Sequence, residues 1–219
     1  MLISAIIEKL YRQNNFNVQT VFRQFPSKCL LDEIEKRNMS PFNFLPCNDE
    51  EFKIYMNLNE DEKKKFVSNT AYIEIVDMEL EHYVELLKCD GCKIYDYNRN
   101  LLKNYLVNSI DADEAMVIFV FLHELGHYEQ FCTLDRKMYE FIKSGEKEYK
   151  NHMEKMTKIV KIIEQEGKTT KKGKIVLPNS VEKALEKARC EYRNLPKEKF
   201  ADDYALRQFE QMQLRYLEE

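Results

Sequence analysis

A long helix that is apolar on every side is the feature that most limits how this chain can fold. Asp111 can cap its N-terminus, and Glu114, three residues later, has the spacing of a reciprocal capping box. The apolar run AMVIFVFL over 115–122 follows, and the helical pattern continues to about Phe131. A helix without a polar face must lie in the centre of a domain, so the rest of the chain has to pack around it.

This helix carries the sequence His123-Glu124-Leu125-Gly126-His127, an HExxH motif. Residues four apart lie about one turn apart on the same face, so both imidazoles can bind one cation. Glu124 projects about 100° around the helix, toward the position of a water on that cation, and can act as its general base. We therefore predict His123 and His127 as metal ligands, Zn²⁺ as the metal and Glu124 as the catalytic residue. The competing interpretation, two histidines that only pack, would leave unpaired imidazoles in a buried helix.

A third ligand is predicted from a later helix, which Pro196 opens. Six residues of this helix lie within roughly 60° of Glu198 on a helical wheel: Ala201, Asp202, Ala205, Phe209, Met212 and Tyr216. Two carboxylates thus share an apolar stripe, and buried carboxylates are costly unless they are paired or bind a metal. Glu198 is predicted as the third zinc ligand, and Asp202 as the acceptor for the second N–H group of a ligand histidine. The alternative, an exposed charge pair, would place Phe209 and Met212 in water.

HELGH and the later segment EKFADDYA, over 198–205, together resemble the gluzincin class of zinc metallopeptidases. Within that class they are similar to the ImmA/IrrE-like family of small intracellular peptidases of mobile elements and bacterial stress regulation. The resemblance covers about 70–131 and 195–209. It implies that His123, His127 and Glu198 bind zinc, that Glu124 is the base, and that the substrate is a protein such as a repressor or stress regulator. The interval from His127 to Glu198 is longer than that family leads one to expect.

We predict an α+β fold that is zincin-like, with a small twisted sheet packed on the buried HExxH helix and a mainly helical remainder. The alternating segments over 72–76 and 93–97 are the strand candidates, and the second is expected to form a cleft wall that pairs with an extended substrate. The first 65 residues predict a helical N-terminal lobe of short helices and loops. The zincin-like catalytic domain is expected over 66–219, with a helical insertion over 132–195.

Three further helices, 3–11, 78–88 and 146–166, are predicted from apolar residues at helical spacing. A fourth, 179–193, is predicted because Asn179 and Glu182 can cap a helix that follows Pro178.

The composition limits the cellular role. Lys and Arg number 34 against 38 Asp and Glu, and a net charge of −4 makes nucleic acid an unlikely general partner. The longest apolar run, 115–122, is far shorter than the roughly 20 residues of a membrane span. The N-terminal sequence lacks the pattern of a signal peptide, and six scattered cysteines fit a reducing compartment. A cytoplasmic protein without a membrane partner is expected.

The predicted function is zinc-dependent hydrolysis of peptide bonds in an intracellular protein substrate, by a zinc-bound water that Glu124 activates. Two alternatives remain: a zinc-stabilised regulatory or binding module on a zincin scaffold without turnover, and a toxin or effector protease delivered to other cells. A metzincin is excluded because Gln130 and Thr133 occupy positions that need glycine and histidine. A peptide deformylase would need Cys89 or Cys92 as a ligand, and its glycine-rich segment is absent.

Weaker signals lie outside these motifs. Cys89 and Cys92 have the spacing of a zinc knuckle, but a turn with free thiols is favoured because a second such pair is missing. The basic segment 168–174 (KTTKKGK) predicts a solvated loop or hairpin tip. His82 and His152 are expected at the surface. One tyrosine can stabilise an oxyanion in zinc peptidases, and the two that flank the motifs are Tyr128 and Tyr204.

Overall fold

The computed structural model describes residues 1–24, 41–89, 94–103, 111–166, 168–169, 175–176 and 178–216. This part of the chain is mostly helical and contains a three-stranded mixed sheet, so the predicted α+β class is confirmed. The chain divides into two compact units, 1–141 with 200–219, and 142–199. The second unit overlaps the predicted insertion at 132–195, and the division at residue 65 stays a prediction.

The sheet of the first unit contains β1 (Gln19–Gln24), β2 (Phe42–Leu45) and β3 (Tyr72–Asp77) in the order β1-β3-β2. Strand β3 is parallel to β1 and antiparallel to β2. It covers the strand predicted at 72–76, which is confirmed. Strands β1 and β2 lie within 1–65, for which short helices and loops are predicted. The predicted short helices are present at Ile3–Gln13, Asp49–Asn57 and Glu60–Lys63. The prediction is wrong for the two strands, because such short strands gain their stability by pairing with a strand that is distant in sequence.

The sheet packs on helix α6 (Ala112–Thr133), which carries the HExxH motif. Ile73 and Ile75 of β3 are fully buried on one face, in the same apolar core as helix α1 (Ile3–Gln13) and α6. Glu74 projects from the opposite face and is also buried, with one carboxylate oxygen 2.6 Å from Nε of Arg23. The predicted central position of α6 is therefore confirmed.

The chain between these elements forms shorter helices: α2 (Asp49–Asn57), α3 (Glu60–Lys63), α4 (Leu80–Cys89), α5 (Ile94–Leu102) and α7 (Met138–Lys143). Helix α4 matches the helix predicted at 78–88. Helix α5 occupies residues 94–97 of the second strand candidate at 93–97, so that prediction is wrong. Asn98 and Leu102 are buried whereas Asn100 between them is exposed, and in a strand all three would share one face, so the burial follows the helical period.

The second unit contains helix α8 (Glu146–Glu166), strands β4 (Lys168–Thr169) and β5 (Ile175–Val176), which pair antiparallel, and helix α9 (Asn179–Arg193). Helices α8 and α9 pack on each other and have the predicted bounds.

Helix α10 (Pro196–Tyr216) starts in the second unit and continues without interruption into the first, at Phe200. Proline at its first position fits the expectation, since proline lacks only an N–H group that the first turn does not use. Among the described residues, no helix combines the length and the apolar character needed to cross a membrane.

Candidate metal centre

The two histidines of the motif lie on one face of α6. Asp111 caps this helix, and one of its carboxylate oxygens accepts hydrogen bonds from the backbone N–H groups of Asp113 and Glu114 at 2.9 and 3.2 Å. The rings of His123 and His127 are 4.8 Å apart between centroids and nearly perpendicular. His123 is buried and His127 is half-buried. Both imidazoles can thus point to one site, as their spacing predicts.

Asp202 on α10 contacts the first of these histidines. One carboxylate oxygen of Asp202 is 2.9 Å from Nδ1 of His123, and both side chains are less than a tenth exposed. An ionised carboxylate can only accept a hydrogen bond, so Nδ1 of a neutral His123 must carry the proton and donate it. The lone pair of the imidazole is then on Nε2, the nitrogen available to a metal. The contact predicted for Asp202 is present.

A glycine in the motif allows α10 to approach α6 closely. A Cβ atom at Gly126 would lie 2.7 Å from Cα and 3.0 Å from the carbonyl oxygen of Ala201, and 3.2 Å from Cβ of Tyr204. Carbon atoms normally pack no closer than about 3.5 Å, so only glycine fits here. Ala201 precedes Asp202, and the close approach therefore brings the carboxylate of Asp202 to His123.

Glu198 lies one turn before Asp202 on α10, and its side chain is close to the two histidines. One ligand atom from each of His123, His127 and Glu198 lies within 4.8 Å of the others. Such a group of two imidazoles and one carboxylate, all of it at least partly buried, could hold a metal ion. The chemistry of the donors fits a divalent cation, because the orientation of His123 by Asp202 leaves Nε2 as an electron-pair donor. The roles of the three residues as ligands stay a prediction.

The carboxylate of Glu198 is also bound by residues near the end of α9. The Tyr192 hydroxyl donates a hydrogen bond to Oε1 of Glu198 at 2.9 Å, and Nη1 of Arg193 is 3.9 Å from Oε2. Burial, and then the charge of Glu198, raises the pKa of Tyr192, which keeps its hydroxyl protonated. Burial lowers the pKa of Lys197 to about 8, although the adjacent Glu198 opposes this shift.

Glu124 points toward strand β2. Its Oε2 accepts a hydrogen bond from the backbone N–H group of Phe44 at 2.7 Å. Burial, and then the charge of Glu124, raises the pKa of the fully buried phenol of Tyr83. The segment beside the predicted base is therefore β2.

His152 on α8 is buried, so the prediction that it lies at the surface is wrong. Its ring centroid is 5.3 Å from that of Tyr192 on α9, and this packing between two helices excludes water. Burial lowers the pKa of His152, as expected for an imidazole that loses solvent. His82, by contrast, is exposed as predicted.

The two tyrosines that flank the motifs have other contacts. The hydroxyl of Tyr128 donates a hydrogen bond to the carbonyl oxygen of Asn17 at 2.7 Å. Tyr204 packs beside Gly126, and burial raises its pKa to about 12. The side chains of Cys89 and Cys92 and most of the segment 168–174 lie outside the described residues.

Sequence reasoning missed Phe44, Tyr192 and the packing role of Gly126. Phe44 acts through its backbone amide, which leaves no trace in residue type. Glycine in the interior of a helix is the one local signal of the three, because it costs helix stability unless close packing requires it.

Comparisons with family models, with curated proteins and with solved structures give no match to this chain. The assignment of the site therefore depends on the side chains described above.

Proposed function

We propose that this chain is a zinc metallopeptidase that hydrolyses peptide bonds of a cytoplasmic protein substrate. The observation that carries the proposal is the group of His123, His127 and Glu198, with Glu124 on the same helix as the two histidines. The resemblance of HELGH and the segment 198–205 to gluzincins, and to ImmA/IrrE-like peptidases among them, supports the same activity.

Zinc is the metal that we propose for this group. Two imidazoles and one carboxylate are a known ligand set of catalytic zinc sites, in which a further position takes water or substrate. The contact between His123 and Asp202 supports this choice, because zinc-binding histidines almost always donate their other N–H group to such an acceptor. Zinc bound there would polarise a carbonyl oxygen and lower the pKa of a water ligand to near 7.

Glu124 is proposed as the general base. Its carboxylate would take a proton from the attacking water and pass it to the leaving nitrogen of the peptide. The hydrogen bond from the Phe44 amide orients this carboxylate. Because β2 reaches Glu124, we expect an extended peptide to run beside β2, and pairing with a strand is a common way for proteins to bind peptides. By the family resemblance, a repressor or stress regulator is the proposed kind of substrate.

Replacement of Glu124 by glutamine tests the proposal. The variant keeps a side-chain oxygen that can accept the Phe44 amide, but it cannot take a proton. We expect zinc binding to be retained and cleavage to fall by about 10²- to 10⁴-fold, the usual contribution of a general base. Metal content by mass spectrometry and the new protein N-termini in lysates treated with each zinc-loaded protein are the measurements.

The matched control is Glu129→Gln, the same change on the same helix but about 140° around it from Glu124. It should cleave as wild type does. A wild-type protein that binds no zinc, or a Glu124→Gln variant as active as wild type, would contradict the proposal.

A zinc-stabilised binding module without turnover is the second candidate. The hydrogen bond between Phe44 and Glu124 favours it, because the same contact can serve only to join β2 to α6. In that case zinc raises stability, and neither wild type nor Glu124→Gln produces new N-termini.

A further inference from the structure

Glu198, the predicted third ligand of the candidate metal centre, has side-chain contacts with residues of the unit 142–199. Glu198 is in the unit 142–199, and its side chain is 13% exposed. A glutamate has a long and flexible side chain, so a ligand of this type needs external contacts to keep one orientation. Near the end of α9, the Tyr192 hydroxyl and the Arg193 guanidinium approach the two oxygens of Glu198, at 2.9 and 3.9 Å.

The shorter contact is the stronger of the two. At 2.9 Å the Tyr192 hydroxyl makes a full hydrogen bond to Oε1, and a bond to an ionised acceptor is about twice as strong as a neutral one. The Arg193 distance of 3.9 Å is too long for a hydrogen bond and contributes only charge. A carboxylate has about four acceptor positions, so a bond from Tyr192 still allows the same group to bind a metal.

The Tyr192 ring is itself fixed. It packs against the buried ring of His152, on the facing helix α8. The position of the hydroxyl is therefore set by the packing of α8 on α9, and the order of contacts runs from His152 to Tyr192 to Glu198. A hydroxyl with a fixed position loses little further entropy when it orients a flexible carboxylate.

We propose that Tyr192 is a positioning residue for the metal ligand Glu198, and that the end of α9 thereby preorganises the metal centre. This inference rests on the proposed metal site, although it does not require that the site cleave peptides. It also gives the long interval between His127 and Glu198 a role, since that interval supplies the residue that orients the third ligand.

The test is Tyr192→Phe, which removes the hydroxyl and keeps the ring that packs on His152. The dissociation constant for Zn²⁺ is measured by competition with a chromophoric chelator, and the thermal midpoint of the metal-free protein is measured in parallel. We expect an unchanged midpoint and zinc binding that is about 10- to 100-fold weaker, the usual loss when a group that orients a ligand is removed. Tyr149→Phe on the half-exposed Tyr149 of α8 is the control and should bind as wild type does.

Two further measurements separate orientation from a general effect on folding. In the Glu198→Ala background, Tyr192→Phe should change the zinc dissociation constant by less than about two-fold, because the acceptor of the hydrogen bond it removes is already absent. With Co²⁺ as a spectroscopic probe, Tyr192→Phe should change the d–d absorption bands, which report coordination geometry.

The outcomes also distinguish this inference from the proposed function. If the wild type binds zinc, and Tyr192→Phe has the same zinc affinity and the same cobalt spectrum, the inference is overturned and the peptidase proposal stays intact. An equal loss of affinity in the Glu198→Ala background would also overturn it. Weaker binding in Tyr192→Phe, in a protein that cleaves nothing, would support the inference and remove the peptidase proposal. A wild type without affinity for Zn²⁺ or Co²⁺ would end both.

Discussion

Replacement of Gly126 by alanine should separate helices α6 and α10. The added Cβ would lie 2.7 Å from Cα of Ala201, a backbone atom that cannot rotate away. An ordinary contact needs at least 3.4 Å, so the helices must move apart locally by about 0.7 Å, the difference between 3.4 and 2.7 Å. The bond from His123 to Asp202, now 2.9 Å, would then stretch to about 3.6 Å, which is no longer a hydrogen bond.

Two opposing effects set the change in stability. Alanine in the interior of a helix is about 1 kcal/mol better than glycine. Overpacking of a core costs about 1–3 kcal/mol, and a clash with backbone belongs at the upper end of that range. The expected net result is a loss of about 1–2 kcal/mol in the free energy of unfolding, together with weaker zinc binding.

Urea unfolding of the metal-free protein, followed by circular dichroism, measures the free energy of unfolding. Chelator competition measures the affinity for zinc. The control is the double variant with Ala201→Gly. Because the clash involves backbone atoms of Ala201, removal of its Cβ should not restore stability. A Gly126→Ala protein that is as stable as wild type and binds zinc equally well would refute the reasoning about close packing.

Two other predictions concern carboxylates. Asp202→Asn should weaken zinc binding by about 10- to 100-fold in the same competition assay, because an amide can donate to Nδ1 of His123 and favour the wrong tautomer; equal binding would show that Asp202 does not orient the ring. Burial raises the pKa of Glu51, but hydrogen bonds from Ser68, Thr70 and the Asn69 amide outweigh it and lower the pKa below 4.5. The ionised Glu51 carboxylate therefore contributes its full stabilisation of the folded state above the pKa that Glu51 has in the unfolded chain. This contribution is lost as the pH falls through the lower pKa of Glu51 in the folded protein. Glu51→Gln should remove this part of the acid sensitivity, seen as a smaller difference in urea midpoint between pH 6 and pH 3, and an unchanged pH dependence would contradict it.

The helices were predictable because their signals are local. The extent of α8 follows from apolar residues at helical spacing, and the start of α6 follows from Asp111, whose side chain caps the first turn. Helix α5 was mistaken for a strand because a short alternating segment is compatible with both periods. Strands β1 and β2 gave too little signal, since a strand of four to six residues depends on the partner with which it pairs.

The candidate site shows the same difference between local features and contacts that join distant elements. The sequence by itself determined that His123 and His127 share a helix face, and that Glu198 and Asp202 share another, because backbone hydrogen bonds within a helix fix those angles whatever surrounds it. Only the tertiary structure decided that the Phe44 amide meets Glu124 and that Tyr192 meets Glu198. The first contact joins residues 80 apart in sequence, and the second crosses from one helix to the next. Such contacts depend on how whole elements pack, and no local pattern of residues encodes them.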